Sequence, residues 1–157
     1  MDDMYARARL LLDGLREIEL IVAGLYRHFS HSFPSDRIFW ETLAGDEENH
    51  AAWISDLKTT LLRNGWSFEV GTISLAALNT SRLGIIRQID RLRKGELGRR
   101  NAFFIARDFE RTLIENRYYD LIRSDNKDYR DIQNKIRKET EVHLQKLENY
   151  ILTLFPV

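Results

Sequence analysis

The sequence contains no cysteine among its 157 residues. Disulfides, thiolate metal sites, iron–sulfur clusters and a rubredoxin-type electron-transfer module are therefore excluded within this chain. Proline is also scarce, since Pro34 and Pro156 are the only two. Few prolines, together with abundant leucine, arginine, glutamate and isoleucine, favour an all-α chain.

Neither sign of charge is in excess, because 24 Lys and Arg residues balance 24 Asp and Glu residues. A general binder of nucleic acid or of acidic membranes would carry a basic surplus, so neither partner is expected. The sequence also lacks an apolar run near the roughly 20 residues of a membrane span. Residues 1–4 are acidic and show no signal-peptide pattern. We therefore expect a soluble, cytoplasmic protein, with a single domain over residues 1–157.

Apolar residues recur every three or four positions in four long stretches, which predicts four amphipathic helices. Their expected limits are about residues 3–29, 36–63, 100–122 and 128–154. Residues 30–34 separate the first helix from the second. Asn64-Gly65 is a C-cap signal that marks the end of the second helix. Residues 66–80 are irregular, and a short helix is expected over residues 82–94. This long crossover would let the second and third long helices run parallel in an antiparallel four-helix bundle.

Charged residues occur on the apolar stripes of these helices. Glu47 and His50 lie three residues apart, which places them on one face of a helix and in line with buried positions such as Trp40 and Leu43. A buried carboxylate costs several kcal/mol unless a partner compensates it. The other long helices supply candidate partners on their own stripes, namely Glu19, Glu110 and His143.

Carboxylate oxygens combined with imidazole nitrogens suit iron or manganese, and zinc less exclusively. Each residue alone is ambiguous, because a Glu-x-x-His pair on a helix is more often structural or exposed. Five such residues on inward lines of four helices nevertheless predict a metal site. The predicted metal ligands are Glu19, Glu47, His50, Glu110 and His143.

The chain resembles the ferritin-like superfamily, and within it the rubrerythrin-type di-iron proteins. The motifs that carry the resemblance are Glu19 followed by Tyr26, the segment from Phe39 to Ala51, Glu110 and His143. The resemblance implies two irons between four helices, with one Glu from the first and third helices and a Glu-x-x-His pair from each of the others. It also implies a homodimer.

Carried over to this chain, the resemblance implies that Glu19 and Glu110 are terminal ligands. Glu47 would be a bridging carboxylate, and His50 and His143 would be the imidazole ligands. Tyr26 would be the tyrosine that this family places near the site.

One position departs from the family pattern. Thr140 stands three residues before His143, where the family has a glutamate. Glu139 and Glu141 are turned about 100° off this line, so neither replaces a bridging carboxylate without a register change such as a π-bulge. The sequence therefore predicts one tightly held metal ion and a weaker second one. Arg117, seven residues after Glu110, either turns inward to neutralise an acid or points to solvent.

Two functions remain as alternatives. The first is a non-haem iron oxidoreductase, a peroxidase or ferroxidase that reacts with peroxide or dioxygen and receives electrons from a separate donor protein. The second is a catalytically inactive bundle with a structural ion or an empty site that binds a partner. Iron storage is a weaker third option. The sequence identifies no catalytic residue.

Overall fold

The computed structural model describes residues 2–63 and 67–157. The elements in these residues are α1 (Asp2–Ser32), a 3-10 turn (Pro34–Asp36), α2 (Arg37–Leu62), β1 (Phe68–Val70), α3 (Leu75–Arg93), α4 (Arg99–Glu115), a second 3-10 turn (Tyr118–Asp120), β2 (Ile122–Ser124) and α5 (Lys127–Leu154). The predicted all-α class is confirmed, with two short strands as the only addition within the described ranges. The C-cap predicted at Asn64-Gly65 lies outside the described residues. Along residues 2–63 and 67–157, none of the helices has the length and apolar character needed to cross a membrane.

The first two helices are antiparallel and are joined by a tight reversal. The rings of Phe29 and Trp40 pack 4.9 Å apart at the connected end, and Lys58 pairs with Asp13 near the other end. Helix α1 continues three residues beyond its predicted end, and within this last turn the Ser30 hydroxyl donates to the Arg27 carbonyl oxygen, 2.7 Å away. The helix ends before Pro34, since proline disfavours a helical conformation in the preceding residue.

Helix α5 packs antiparallel to both α2 and α4. The ring of Phe39 lies 4.3 Å from that of Tyr150, and Arg111 of α4 donates to Glu148 of α5 over 3.0 Å. Phe39 also lies 5.4 Å from Phe103. The N-terminal parts of α2 and α4 therefore lie side by side, and the two helices run in the same direction.

The connection between α2 and α4 contains a longer helix than the sequence predicts. Helix α3 begins at Leu75 rather than at residue 82, because the Ser74 side chain caps it by accepting a hydrogen bond from the Ala77 amide. The Thr80 hydroxyl donates to the Ala76 carbonyl oxygen inside this helix. Helix α3 packs on α1, where its Leu78 lies against Gly14.

Helix α4 ends at Glu115, seven residues before the predicted limit. Arg117 then adopts a left-handed conformation with φ of 52°, which ends the helix. The side chain of Arg117 is exposed and pairs with Asp120, so the alternative in which it turns inward is wrong. Strand β2 follows and pairs antiparallel with β1, with Phe68 opposite Ser124. The Asn126 side chain caps α5 by accepting a hydrogen bond from the Tyr129 amide over 3.0 Å.

We predict that Gln133→Met lowers the free energy of unfolding by about 1–3 kcal/mol, because two buried backbone carbonyls lose their donor. The Gln133 amide donates to the carbonyl oxygens of Tyr119 and Ile122 and so holds the segment after α4. Urea denaturation measures the change. The control Gln145→Met removes an exposed hydrogen bond to Asn149 and should change stability by less than about 0.5 kcal/mol. Equal effects of the two substitutions would contradict the prediction.

Candidate metal centre

Four helices each place acidic or imidazole side chains in the middle of the core. Helix α1 supplies Glu19, α2 supplies Glu47 and His50, α4 supplies Glu110, and α5 supplies His143. All five side chains are at most 2% exposed. The helix periodicity therefore placed them correctly on the inward faces.

Glu47 lies between the two imidazoles. Its Oε2 is 3.2 Å from Nδ1 of His50, and its Oε1 is 2.8 Å from Nδ1 of His143. The two rings stack with centroids 5.2 Å apart. One ligand atom from each of these three residues lies within 4.8 Å of the others, so this group could hold a metal ion.

Glu19 and Glu110 flank this group on opposite sides. Glu19 Oε2 is 3.9 Å from Nδ1 of His50, and Glu110 Oε1 is 3.7 Å from Nδ1 of His143. Each carboxylate accepts a hydrogen bond from a buried tyrosine: Tyr119 donates to Glu19 over 2.8 Å, and Tyr26 donates to Glu110 over 2.7 Å. The proximity of Tyr26 to the site agrees with the expectation from the family pattern.

One oxygen of each flanking carboxylate is left without a hydrogen bond. Glu19 Oε2 and Glu110 Oε2 are buried and have no hydrogen-bond partner among the residues described. A buried carboxylate oxygen is unfavourable unless a donor or a cation compensates it. These orphaned oxygens, next to Glu47 and the two imidazoles, are therefore the donor set that a metal ion would satisfy.

The outer nitrogens of the two imidazoles contact carboxylates that the sequence analysis did not assign to the site. His50 Nε2 is 3.0 Å from Glu139 of α5, and His143 Nε2 is 3.1 Å from Asp46 of α2. A histidine that donates its Nε2–H to a carboxylate keeps its Nδ1 lone pair available for a metal. The signal in the sequence was a repeated spacing, since Asp46 and Glu139 each precede the histidine of their own helix by four residues.

Thr140 occupies the position where the family pattern has a second glutamate. Its side chain is buried and donates to the hydroxyl of Tyr119 over 3.0 Å, and that hydroxyl donates in turn to Glu19. The neutral hydroxyl groups of Thr140 and Tyr119 therefore form a hydrogen-bonded chain that leads to Glu19. Tyr119 was missed because the predicted helix extended through residue 122, whereas the break after Glu115 brings Tyr119 into the core.

The clustered charges shift the pKa values of these groups. Burial and the charges of Glu110 and Glu19 raise the pKa of Glu47 well above its usual range. Burial disfavours a charged imidazole, but hydrogen bonds and charges from Glu19 and Glu47 raise the pKa of His50 to about 11. The carboxylates of Glu110 and Glu47 outweigh burial in the same way and raise the pKa of His143 to about 10. Without metal, two imidazolium groups therefore compensate the buried acids.

Comparisons of the chain with protein-family models, with curated proteins and with solved structures find no match. The geometry and chemistry of the site therefore carry the functional argument without support from a relative.

We predict that the metal-free protein becomes less stable as the pH rises from about 6.5 to about 9. His50 and His143 have folded pKa values of about 11 and about 10, above their ordinary value of 6.5. In this range the folded state binds more protons than the unfolded state, so the free energy of unfolding falls with pH, by at most about 1.4 kcal/mol per unit for each group. Urea denaturation of chelator-treated protein across this range measures the slope.

The matched control for this prediction is His31→Gln, which changes a histidine on the exposed end of α1 and should keep the slope. The double variant His50→Gln/His143→Gln should reduce the slope by the share of the two imidazoles, and the remaining slope comes from Glu47, whose folded pKa is also raised. Stability that stays constant or rises with pH in the unsubstituted protein would contradict the charged state assigned to the two imidazoles.

Proposed function

We propose that this protein is a metal-binding protein of ferritin-like, rubrerythrin type. In this proposal α1, α2, α4 and α5 form a four-helix bundle with an iron site at its centre. The observation that carries the proposal is the convergence of Glu47, His50 and His143, whose ligand atoms lie within 4.8 Å of one another in the buried core. Mixed oxygen and nitrogen ligands favour iron or manganese and also accept zinc.

The remaining residues have supporting roles in this proposal. Glu19 and Glu110 would each offer the metal the oxygen that has no hydrogen bond. Tyr26 and Tyr119 would hold the other oxygen of each carboxylate and fix its orientation. Asp46 and Glu139 would hold the two imidazole rings from outside and keep Nδ1 directed to the centre.

Bound iron would supply one-electron redox chemistry towards peroxide or dioxygen. The chain itself would exclude bulk water from the ion, because its ligand side chains are almost fully buried. It would also hold two phenolic protons beside the flanking carboxylates, at Tyr26 and Tyr119. Since the chain has no cysteine, the electrons that reduce the site would come from a separate donor protein. A homodimer is part of this proposal.

The number of ions follows from Thr140. A second ion would need a carboxylate at this position to balance its charge, whereas Thr140 and Tyr119 supply neutral hydroxyl groups. Glu19, Glu47 and Glu110 give a formal charge of −3, one short of the −4 that would balance two divalent ions. We therefore propose a centre with one tightly bound ion.

The contacts between Glu47 and the two imidazoles also favour a second candidate function. Hydrogen bonds between Glu47 and both imidazoles compensate the buried acids even without metal. The centre could therefore serve only to stabilise the fold, with a structural ion or none, while the surface binds a partner. The two candidates differ in whether bound iron reacts with an oxidant.

We predict that the protein binds one equivalent of ferrous ion, and that His50→Gln weakens this binding by at least about 100-fold, because a ligand is lost and even outer-shell changes cost 10–100-fold. Anaerobic calorimetric titration measures both. The control His31→Gln should bind like the unsubstituted protein. Unchanged binding by His50→Gln would contradict the proposed site. If peroxide then leaves the absorption spectrum of the ferrous protein unchanged, the non-enzymatic candidate is favoured.

A second substitution tests the number of ions. Thr140→Glu restores the missing carboxylate beside His143 and should raise the metal content from one ion to two per chain. Elemental analysis of protein loaded with ferrous ion under argon measures the content. The control Thr153→Glu adds the same charge near the end of α5, where Thr153 is exposed, and should leave one ion bound. Two tightly bound ions in the unsubstituted protein, or only one in Thr140→Glu, would contradict the role given to Thr140.

A further inference from the structure

The ligand side chains of the candidate metal centre are closed off from solvent. Each of the five is at most 2% exposed, so an ion reaches them by passing between helices. A divalent ion gives up its water reluctantly, and a charge that enters an apolar interior without compensating ligands carries a penalty of several kcal/mol. A passage lined by carboxylates therefore favours entry over a passage lined by apolar side chains.

The seam between α2 and α5 is lined by two carboxylates, from Asp46 and Glu139, which we call the outer acids. The side chain of Glu139 is 39% exposed, and its Oε2 lies 3.0 Å from Nε2 of His50. The side chain of Asp46 is 32% exposed, and its Oδ2 lies 3.1 Å from Nε2 of His143. Each outer acid thus meets solvent on one side and a buried imidazole on the other.

Behind the imidazoles lie the carboxylate oxygens that have no hydrogen bond. Nδ1 of His50 is 3.9 Å from Glu19 Oε2, which is one of these oxygens. Nδ1 of His143 is 3.7 Å from Glu110 Oε1, and the other oxygen of Glu110 also has no partner among the residues described. Two lines of polar groups therefore run from solvent through an outer acid and an imidazole to an acid that still needs a cation.

The flanks of the centre on α1 and α4 are closed by neutral groups instead. The phenol of Tyr119 covers Glu19, and the phenol of Tyr26 covers Glu110. Both tyrosines are at most 6% exposed. These phenols shield the flanking carboxylates from solvent and offer an arriving cation no charge, so these flanks favour entry less than the α2–α5 seam does.

Contacts between side chains close the α2–α5 seam on either side of the outer acids. Towards the C-terminus of α2, the ammonium group of Lys135 lies 4.0 Å from the centre of the Trp53 ring. Towards the N-terminus of α2, the rings of Phe39 and Tyr150 lie 4.3 Å apart. The outer acids occupy the interval between these two contacts, at the level of the buried imidazoles.

We propose that metal ions enter the centre through the α2–α5 seam, with Asp46 and Glu139 as the entrance ligands. At rest, each outer acid holds an imidazole ring by its Nε2. During uptake, its carboxylate exchanges this hydrogen bond for a contact with the arriving ion and replaces part of the ion's water. The inference rests on the proposed function, because it requires that the centre takes up a metal ion.

The entrance is tested by the rate at which chelator-treated protein takes up cobalt(II), an air-stable divalent probe. Bound cobalt quenches tryptophan fluorescence, and the Trp53 ring lies 5.5 Å from the His50 ring, so stopped-flow fluorescence reports uptake. In Asp46→Asn/Glu139→Gln the amide oxygens still accept from the imidazole Nε2–H, but the anionic entrance ligands are lost. The association rate constant should fall at least about tenfold.

The matched control is Glu48→Gln/Glu141→Gln, which removes two exposed charges from the same two helices. This control should take up cobalt as fast as the unsubstituted protein. The single variants Asp46→Asn and Glu139→Gln should each slow uptake in the same direction, so the result does not depend on the double variant alone.

An entrance and a purely positioning role predict different kinetics. Because ions enter and leave by one path, loss of the entrance ligands should slow association and dissociation together, with a smaller change in affinity. Faster dissociation with unchanged association, or equal association rates in Asp46→Asn/Glu139→Gln and the control, overturns the entrance. If calorimetry shows that the unsubstituted protein binds no cobalt, the proposed function falls and the entrance falls with it, whereas binding with unchanged association rates overturns the entrance alone.

Discussion

The buried carboxylate of Glu47 is the constraint around which the core is arranged. An unpaired carboxylate in an apolar interior would cost several kcal/mol, and here each oxygen lies within hydrogen-bond distance of a different imidazole, from His50 and His143. The contact of Glu47 with His143 holds α2 against α5. The flanking acids on α1 and α4 then require their own partners, which two buried tyrosines supply. The four long helices α1, α2, α4 and α5 approach one another at Glu47 because their buried acids and imidazoles must compensate one another.

The two histidine-bearing helices match in their outer contacts and differ in their inner ones. Each carries an acid four residues before its histidine, and each acid contacts the histidine of the other helix. Next to that acid, α2 has Glu47 and α5 has Thr140. This single difference replaces a charge by a hydroxyl and leads to the proposal of one ion instead of two. The outer acids remain 32% and 39% exposed, so they connect the buried rings to solvent.

The inward residues could be predicted because helical periodicity alone places Glu19, Glu47, His50, Glu110 and His143 on apolar stripes. Asp46 and Glu139 were missed because they lie beside the stripe and reach the rings from outside, which periodicity does not register. Tyr119 was missed for another reason. The apolar pattern continues beyond Glu115, yet the left-handed Arg117 ends α4, and pairing of β2 with β1 depends on a contact distant in sequence. Such tertiary effects override local helix preference.

The central claim is that Glu47, His50 and His143 bind one metal ion. Anomalous scattering at the iron absorption edge, from crystals grown anaerobically with ferrous ion, tests it most directly. The account predicts one strong peak between Glu47 and the Nδ1 atoms of both imidazoles, with the Glu19 and Glu110 oxygens turned towards it. A centre without a peak, or two equal peaks with one beside Thr140, would contradict it.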